Sequence, residues 1–253
     1  MAILKESLDP TVRNTMQNTI KSFSALLILT SLAWATDLPW KGKPYEQWTD
    51  KDVERVFTDS PWARTITITR TWRPLTQRDL PNPTVSHTAR TIPDSPGPGT
   101  DARGTESNID VYWASSRVMR AASARKDALR GNTKGVDVEK YANEPQDEYQ
   151  ILVQSDDMTP FFHHDENFFQ ANAFLEAKQN KQKILPSHVR YERDEKGVLV
   201  TSAIFFFPKK TSSGDPTIPS DEKNVEFKCK IEGSLLHVNF DLQKMVDNSG
   251  PGL

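Results

Sequence analysis

The chain has 253 residues, with 32 basic and 34 acidic side chains and a formal charge of -2. Neither sign dominates, which argues against a nucleic-acid binder that would need a basic face. Cys229 is the single cysteine, so no internal disulfide can form, and stability has to come from a buried core that this length can supply.

Residues 1–35 read as a secretory signal peptide. Lys21 precedes the apolar run Phe23 to Leu32, and Ala33-Trp34-Ala35 makes an A-x-A cleavage site ahead of the polar, proline-containing Thr36-Asp37-Leu38-Pro39. The apolar run falls short of the roughly 20 residues that a membrane-spanning helix requires. Met16 would give a more compact start than Met1, and no cysteine follows the run to accept a lipid. The expectation is a soluble exported protein, periplasmic or secreted, cleaved near Ala35 and without a transmembrane span in its mature chain. Removing 35 residues from 253 leaves 218 and moves the charge from -2 to about -3, because Lys5, Arg13 and Lys21 depart with Glu6 and Asp9.

Residues 36–73 form a tryptophan-rich helix-strand segment containing Trp40, Trp48, Trp62 and Trp72. Thr49 with Asp52 three residues on resembles a capping box, and Val53, Val56 and Phe57 follow with helical spacing. Ser60-Pro61 ends that helix, and Thr65 to Thr69 alternates as a half-buried strand does. Residues 74–108 hold six prolines and no aromatic residue, a composition too poor in apolar area to offset ordering entropy, so a Pro-rich loop or linker is expected.

Residues 109–253 are expected to form an α+β domain. Ile109 to Trp113 reads as a strand, and Ser115 or Ser116 caps a helix closed by Gly131. That helix is cationic at Arg117, Arg120, Arg125, Lys126 and Arg130 around a stripe of Val118, Ala121, Ala122 and Leu129. Such a helix can face an anion or a membrane surface, although a solvated face over a core stripe is the commoner case. A short helix from Asp137 and a strand over Tyr149 to Gln154 come next. His188 to Arg193 turns through Asp194-Glu195-Lys196-Gly197 into an apolar central strand over Val198 to Phe207. Val225 to Glu232 alternates, Gly233 turns the chain, and Leu236, Val238 and Phe240 point inward. Asp241 is expected to cap a last short helix carrying Leu242, Met245 and Val246. The fold class is α+β, a mostly antiparallel sheet with a C-terminal meander and helices packed on one face.

His163-His164-Asp165-Glu166 is the one cluster of ligand-like residues. His163 and Glu166 at i and i+3 could share a helical face, with His188 as a further ligand, and imidazole with carboxylate suits zinc or iron. Against this, Asp165 is a good N-cap ahead of Phe168, Phe169, Ala173 and Leu175, and the spacing is not that of His-Glu-x-x-His. No cofactor is expected beyond a weak case for a divalent metal. Cys229 lies on the apolar side of its strand as a small hydrophobe, and Ser234 belongs to a hairpin turn. The acidic pairs Asp156-Asp157, Glu192 with Asp194, and Asp221-Glu222 fall in loops and turns. Trp40, Trp48 and Trp62 could stack on a sugar or peptide, while serving equally as core fillers.

Trp48-Thr49-x-x-Asp52-Val53 with Ser60-Pro61-Trp62, Phe205-Phe206-Phe207-Pro208-Lys209-Lys210, Glu226-Phe227-x-Cys229-Lys230 and Phe240-Asp241-Leu242-x-Lys244-Met245-Val246 together resemble a group of uncharacterised exported bacterial proteins. The resemblance covers most of the chain after residue 35 apart from the Pro-rich stretch. It implies an envelope location and carries no activity, cofactor or catalytic residue.

Two functions follow. The preferred one is a non-catalytic exported module that binds another envelope protein or a glycan, with Trp40, Trp48, Trp62 and the Pro-rich loop as contact surface and no nucleic acid as partner. The alternative is a metal-dependent hydrolase using His163, His164 and Glu166, with His188.

Overall fold

A computed structural model describes residues 38–73, 75, 106–132, 135 and 137–253. The signal segment and nearly all of the Pro-rich stretch lie outside the described residues. Within them, no helix is long and apolar enough to cross a membrane.

Helix α1 (Pro39–Gly42) and a 3-10 turn (Tyr45–Gln47) lead into α2 (Asp50–Thr58). The capping box is present: Thr49 Oγ1 accepts from Asp52 N at 3.3 Å, and Thr49 N donates to Asp52 Oδ2 at 2.9 Å. Burial alone would raise the Asp52 carboxyl, but hydrogen bonds from Lys43 and Thr49 outweigh it and hold it below the usual carboxylate range.

Nine of the strands among the described residues form two antiparallel sheets. In the first, the order is β1 (Ala63–Thr69), β2 (Glu106–Trp113), β3 (Glu148–Ser155), β7 (Val200–Pro208), β6 (His188–Arg193). In the second it is β5 (Lys183–Ile184), β4 (Ala173–Ala177), β8 (Asn224–Ile231), β9 (Ser234–Asp241). Helices α3 (Arg117–Leu129) and α4 (Val138–Asn143) lie between β2 and β3, and α5 (Thr159–His163) and α6 (Glu166–Asn172) between β3 and β4. The α+β class and the antiparallel pairing agree with the sequence reading, and the C-terminal strands divide between the sheets, β6 with β7 and β8 with β9.

The core lies between the sheets. Trp113 of β2 meets Phe240 of β9 edge-on at 5.2 Å between ring centroids, and Phe205 and Phe207 of β7 meet Phe227 of β8 at 5.1 and 6.3 Å. Strand alternation sends Val111, Ile151 and Val153 into the same layer, all fully buried. Cys229 is buried there too, and burial pushes its thiol well above its ordinary pKa.

Two local expectations change. The helix begun at Asp165 ends at Asn172, because Ala173 and Leu175 alternate into the core as β4 paired with β8. After Asp241 the chain makes a turn and then the small hairpin β10 (Val246–Asp247) and β11 (Gly250–Pro251). Asp241 Oδ1 accepts from Gln243 N at 3.1 Å, an Asx turn, and Gly250 at φ 108° followed by Pro251 cannot continue a helix.

Candidate functional site

The tryptophans offered as a stacking surface are interior. Trp48 and Trp62 are fully buried and Trp40 is 2% exposed, which corrects their assignment as a contact surface. Trp40 and Trp62 meet edge-on at 5.7 Å, and Trp62 Nε1 donates to Gly252 O at 3.1 Å. Tyr45 Oη donates to Asp247 Oδ2 at 3.1 Å, so residues 38–73 bind the C-terminal hairpin into one body with the sheets. A large flat ring does most for stability where both faces are covered, and here the segment spends its aromatics on that.

His163 ends α5 and Glu166 begins α6, with His164 extended between them, so His163 and Glu166 share no helical face. What the two histidines approach is Glu232, at the β8-β9 turn: His163 Nδ1 lies 2.7 Å from Glu232 Oε1 and His164 Nε2 3.9 Å from the same oxygen. His164 stacks on Phe168 at 3.9 Å. His188 stacks on Phe206 at 4.1 Å and its Nδ1 is 3.0 Å from Ser187 Oγ, on β6. Among the described residues no group of three or more His, Cys, Asp or Glu side chains is arranged to hold a metal ion.

A groove of about 520 Å³ at the ends of β3 and β7 is lined by Arg70, Asp156, Asp157 and Asp194 beside Phe162 and Leu199. Its acids are occupied. Asp157 accepts from Trp72 Nε1 and Thr159 N, each at 3.0 Å, and pairs with Arg70. Ser107 donates to Asp156 and holds its carboxyl below the usual range, while the Val198 and Leu199 amides do the same for Asp194. These carboxylates fix loops, as their place in the sequence suggests.

The cations of α3 are the informative group. Three of the five are tied into the fold: Arg117 clamps Asp247 at 2.8 and 3.1 Å, Arg120 donates to Ala142 O and Glu144 O, and Arg125 Nε donates to Trp48 O at 2.7 Å. Lys126 and Arg130 have no ion-pair partner among the described residues, and Lys126 Nζ sits 4.9 Å above the Phe57 ring. Both line a groove of about 340 Å³ between α3 and the outer face of β2 and β3, with Phe57, Tyr112, Leu152 and Gln154. Phe57 meets Tyr112 edge-on at 5.8 Å, giving the groove an aromatic wall. Burial, and the hydrogen bond to Asp110, push the Tyr112 phenol up to about 12, so it stays neutral.

The sequence shows this helix as cationic but does not separate the cations tied into the fold by hydrogen bonds from those without an ion-pair partner among the described residues. Phe57, Tyr112 and Leu152 come from three separate segments, and only the fold brings them to Lys126. The chain matches no protein-family model, no curated protein and no solved structure.

Proposed function

We propose that this chain is an exported, non-catalytic protein that binds another envelope component in the groove between α3 and the outer face of β2 and β3. One observation carries the reading: on a helix whose other cations are hydrogen-bonded or ion-paired into the fold, Lys126 and Arg130 have no ion-pair partner among the described residues and line a concave surface with an aromatic wall. A concave site in which charged and polar groups stand beside aromatic and aliphatic ones gives a ligand both orientation and contact area, as ligand sites do. Export rests on the signal segment and on the resemblance given above.

The test is retention of envelope components by immobilised wild-type protein against Lys126→Glu/Arg130→Glu, with Lys51→Glu on exposed α2 surface as control. The expected result is a component kept by wild type and by the control and lost by the groove variant. Equal retention by all three removes the groove from the account.

A further inference from the structure

We infer that the α3 groove takes a small monocarboxylate with a short acyl or aryl body, an inference that rests on the groove being the binding site proposed above. Size sets the first limit. A volume of about 340 Å³ is at the small end of ligand pockets, and the groove is open to solvent along one side. A medium-chain or phenyl-substituted acid is of a size to lie in it.

Charge sets the second limit. The lining carries two cations, Lys126 and Arg130, and one carboxylate, Asp127, so a single negative charge balances it. Asp110, next along β2, is engaged by Thr65 Oγ1 at 2.6 Å and by the Tyr112 phenol and does not line the groove. Arg130 offers a planar fork that suits a carboxylate, and Ser123 and Gln154 at the rim add neutral donors. The ligand body would lie on Tyr112 and Leu152 and on the part of Phe57 that Lys126 leaves uncovered. A neutral body needs the rings, and its head needs the cations, which lie one helical turn apart on the same face of α3.

The experiment is an NMR titration of the exported protein with octanoate, phenylpropionate, octylamine and octanol. The expected result is binding of both acids on the order of 1 mM, as probes of roughly ten heavy atoms allow, with amide shifts centred on residues 119–130 and 152–154. Lys126→Glu/Arg130→Glu, checked for an unchanged melting midpoint, should weaken the acids about tenfold or more, and Asp127→Asn should tighten them about threefold. Octylamine binding as tightly as octanoate, or charge reversal without effect, overturns the acid while leaving the groove as a site. Octanol binding as tightly as octanoate has the same meaning. If none of the four probes shifts the groove, the inference falls, and the binding site proposed above is decided by the retention test.

Discussion

Replacing Glu226 with glutamine should destabilise the protein at neutral pH and matter less as the solution is acidified. Its side chain is 9% exposed on the outer face of the second sheet, with Lys178 and Lys228 each at 2.8 Å and His237 at 3.1 Å. Hydrogen bonds from Lys178, Lys228 and then His237 hold its pKa at about 2 against an ordinary 4.5. At roughly 1.4 kcal/mol per pKa unit that shift corresponds to about 3 kcal/mol, which is an upper bound. Lys178 and His237 are 41% and 48% exposed, so solvent screens their share, and such pairs rarely exceed about 1 kcal/mol. Lys228, 17% exposed and shared with Glu176 at 3.2 Å, supplies the better-shielded contact. The worked loss for Glu226→Gln at neutral pH is therefore about 1–2 kcal/mol.

The direction with pH follows from linkage. The folded carboxyl has the lower pKa, so on acidification the unfolded chain takes up its proton first. The contribution is complete above about pH 5 and is lost as the pH falls towards about 2. Urea unfolding of parent and variant between about pH 7 and about pH 3 measures it, with tryptophan fluorescence as the signal. A stability gap that stays constant over that range, or widens on acidification, refutes the argument.

Three further outcomes use the same assay or a simple relative of it. Arg117→Met strands Asp247, whose side chain is 1% exposed, and should cost about 3 kcal/mol; adding Asp247→Asn should recover much of that, and no recovery would mean the ion pair is not the cause. Trp62→Ala should cost about 3–5 kcal/mol through the cavity and the lost bond to Gly252, whereas a cost under about 1 kcal/mol would contradict its place in the core. Cys229 should resist a thiol reagent in the native protein and react once urea unfolds it, since burial raises its pKa; rapid labelling of the native state would show the strand face to be open.

Local rules carried the elements and lost the arrangement. Thr49 with Asp52, Ser116 before α3 and Asp165 before α6 all cap as their residue types dictate, because a cap is decided within three residues. The β8-β9 hairpin was equally legible from its alternation and Gly233, which turns at φ 84°. Which sheet each strand joins was not, since antiparallel pairing over long separations leaves no local mark: β3 pairs with both β2 and β7, and β4 with β8. The same holds for Glu232, which comes to His163 across 69 positions of sequence. Alternation along β8 correctly separated its two faces, but the polar face proved to be a lattice of ion pairs in which Glu226 is 7% exposed, not a face open to water. Opposite charges on neighbouring strands shield one another, and a single strand read alone cannot show its neighbours.

The groove sits between those cases. Met119, Ser123, Lys126 and Arg130 recur at i, i+4, i+7 and i+11, one face of α3, whereas Arg117, Arg120 and Arg125 fall on other faces. That division into faces was available from spacing alone. A face mixing Met, Ser, Lys and Arg is too polar for the core and too apolar at Met119, 3% exposed, for free water. Such a face suits a helix that covers a sheet incompletely, and the outer surface of β2 and β3 is what it covers. The inner surface of the same strands is filled by Val111, Trp113, Ile151 and Val153, so the groove lies on the other side of the sheet from that layer. Met119 of the groove belongs to the core and Phe57 and Tyr112 pack against it, whereas Lys126 and Arg130 do not, so charge reversal at those two is the perturbation that tests the site without opening the core.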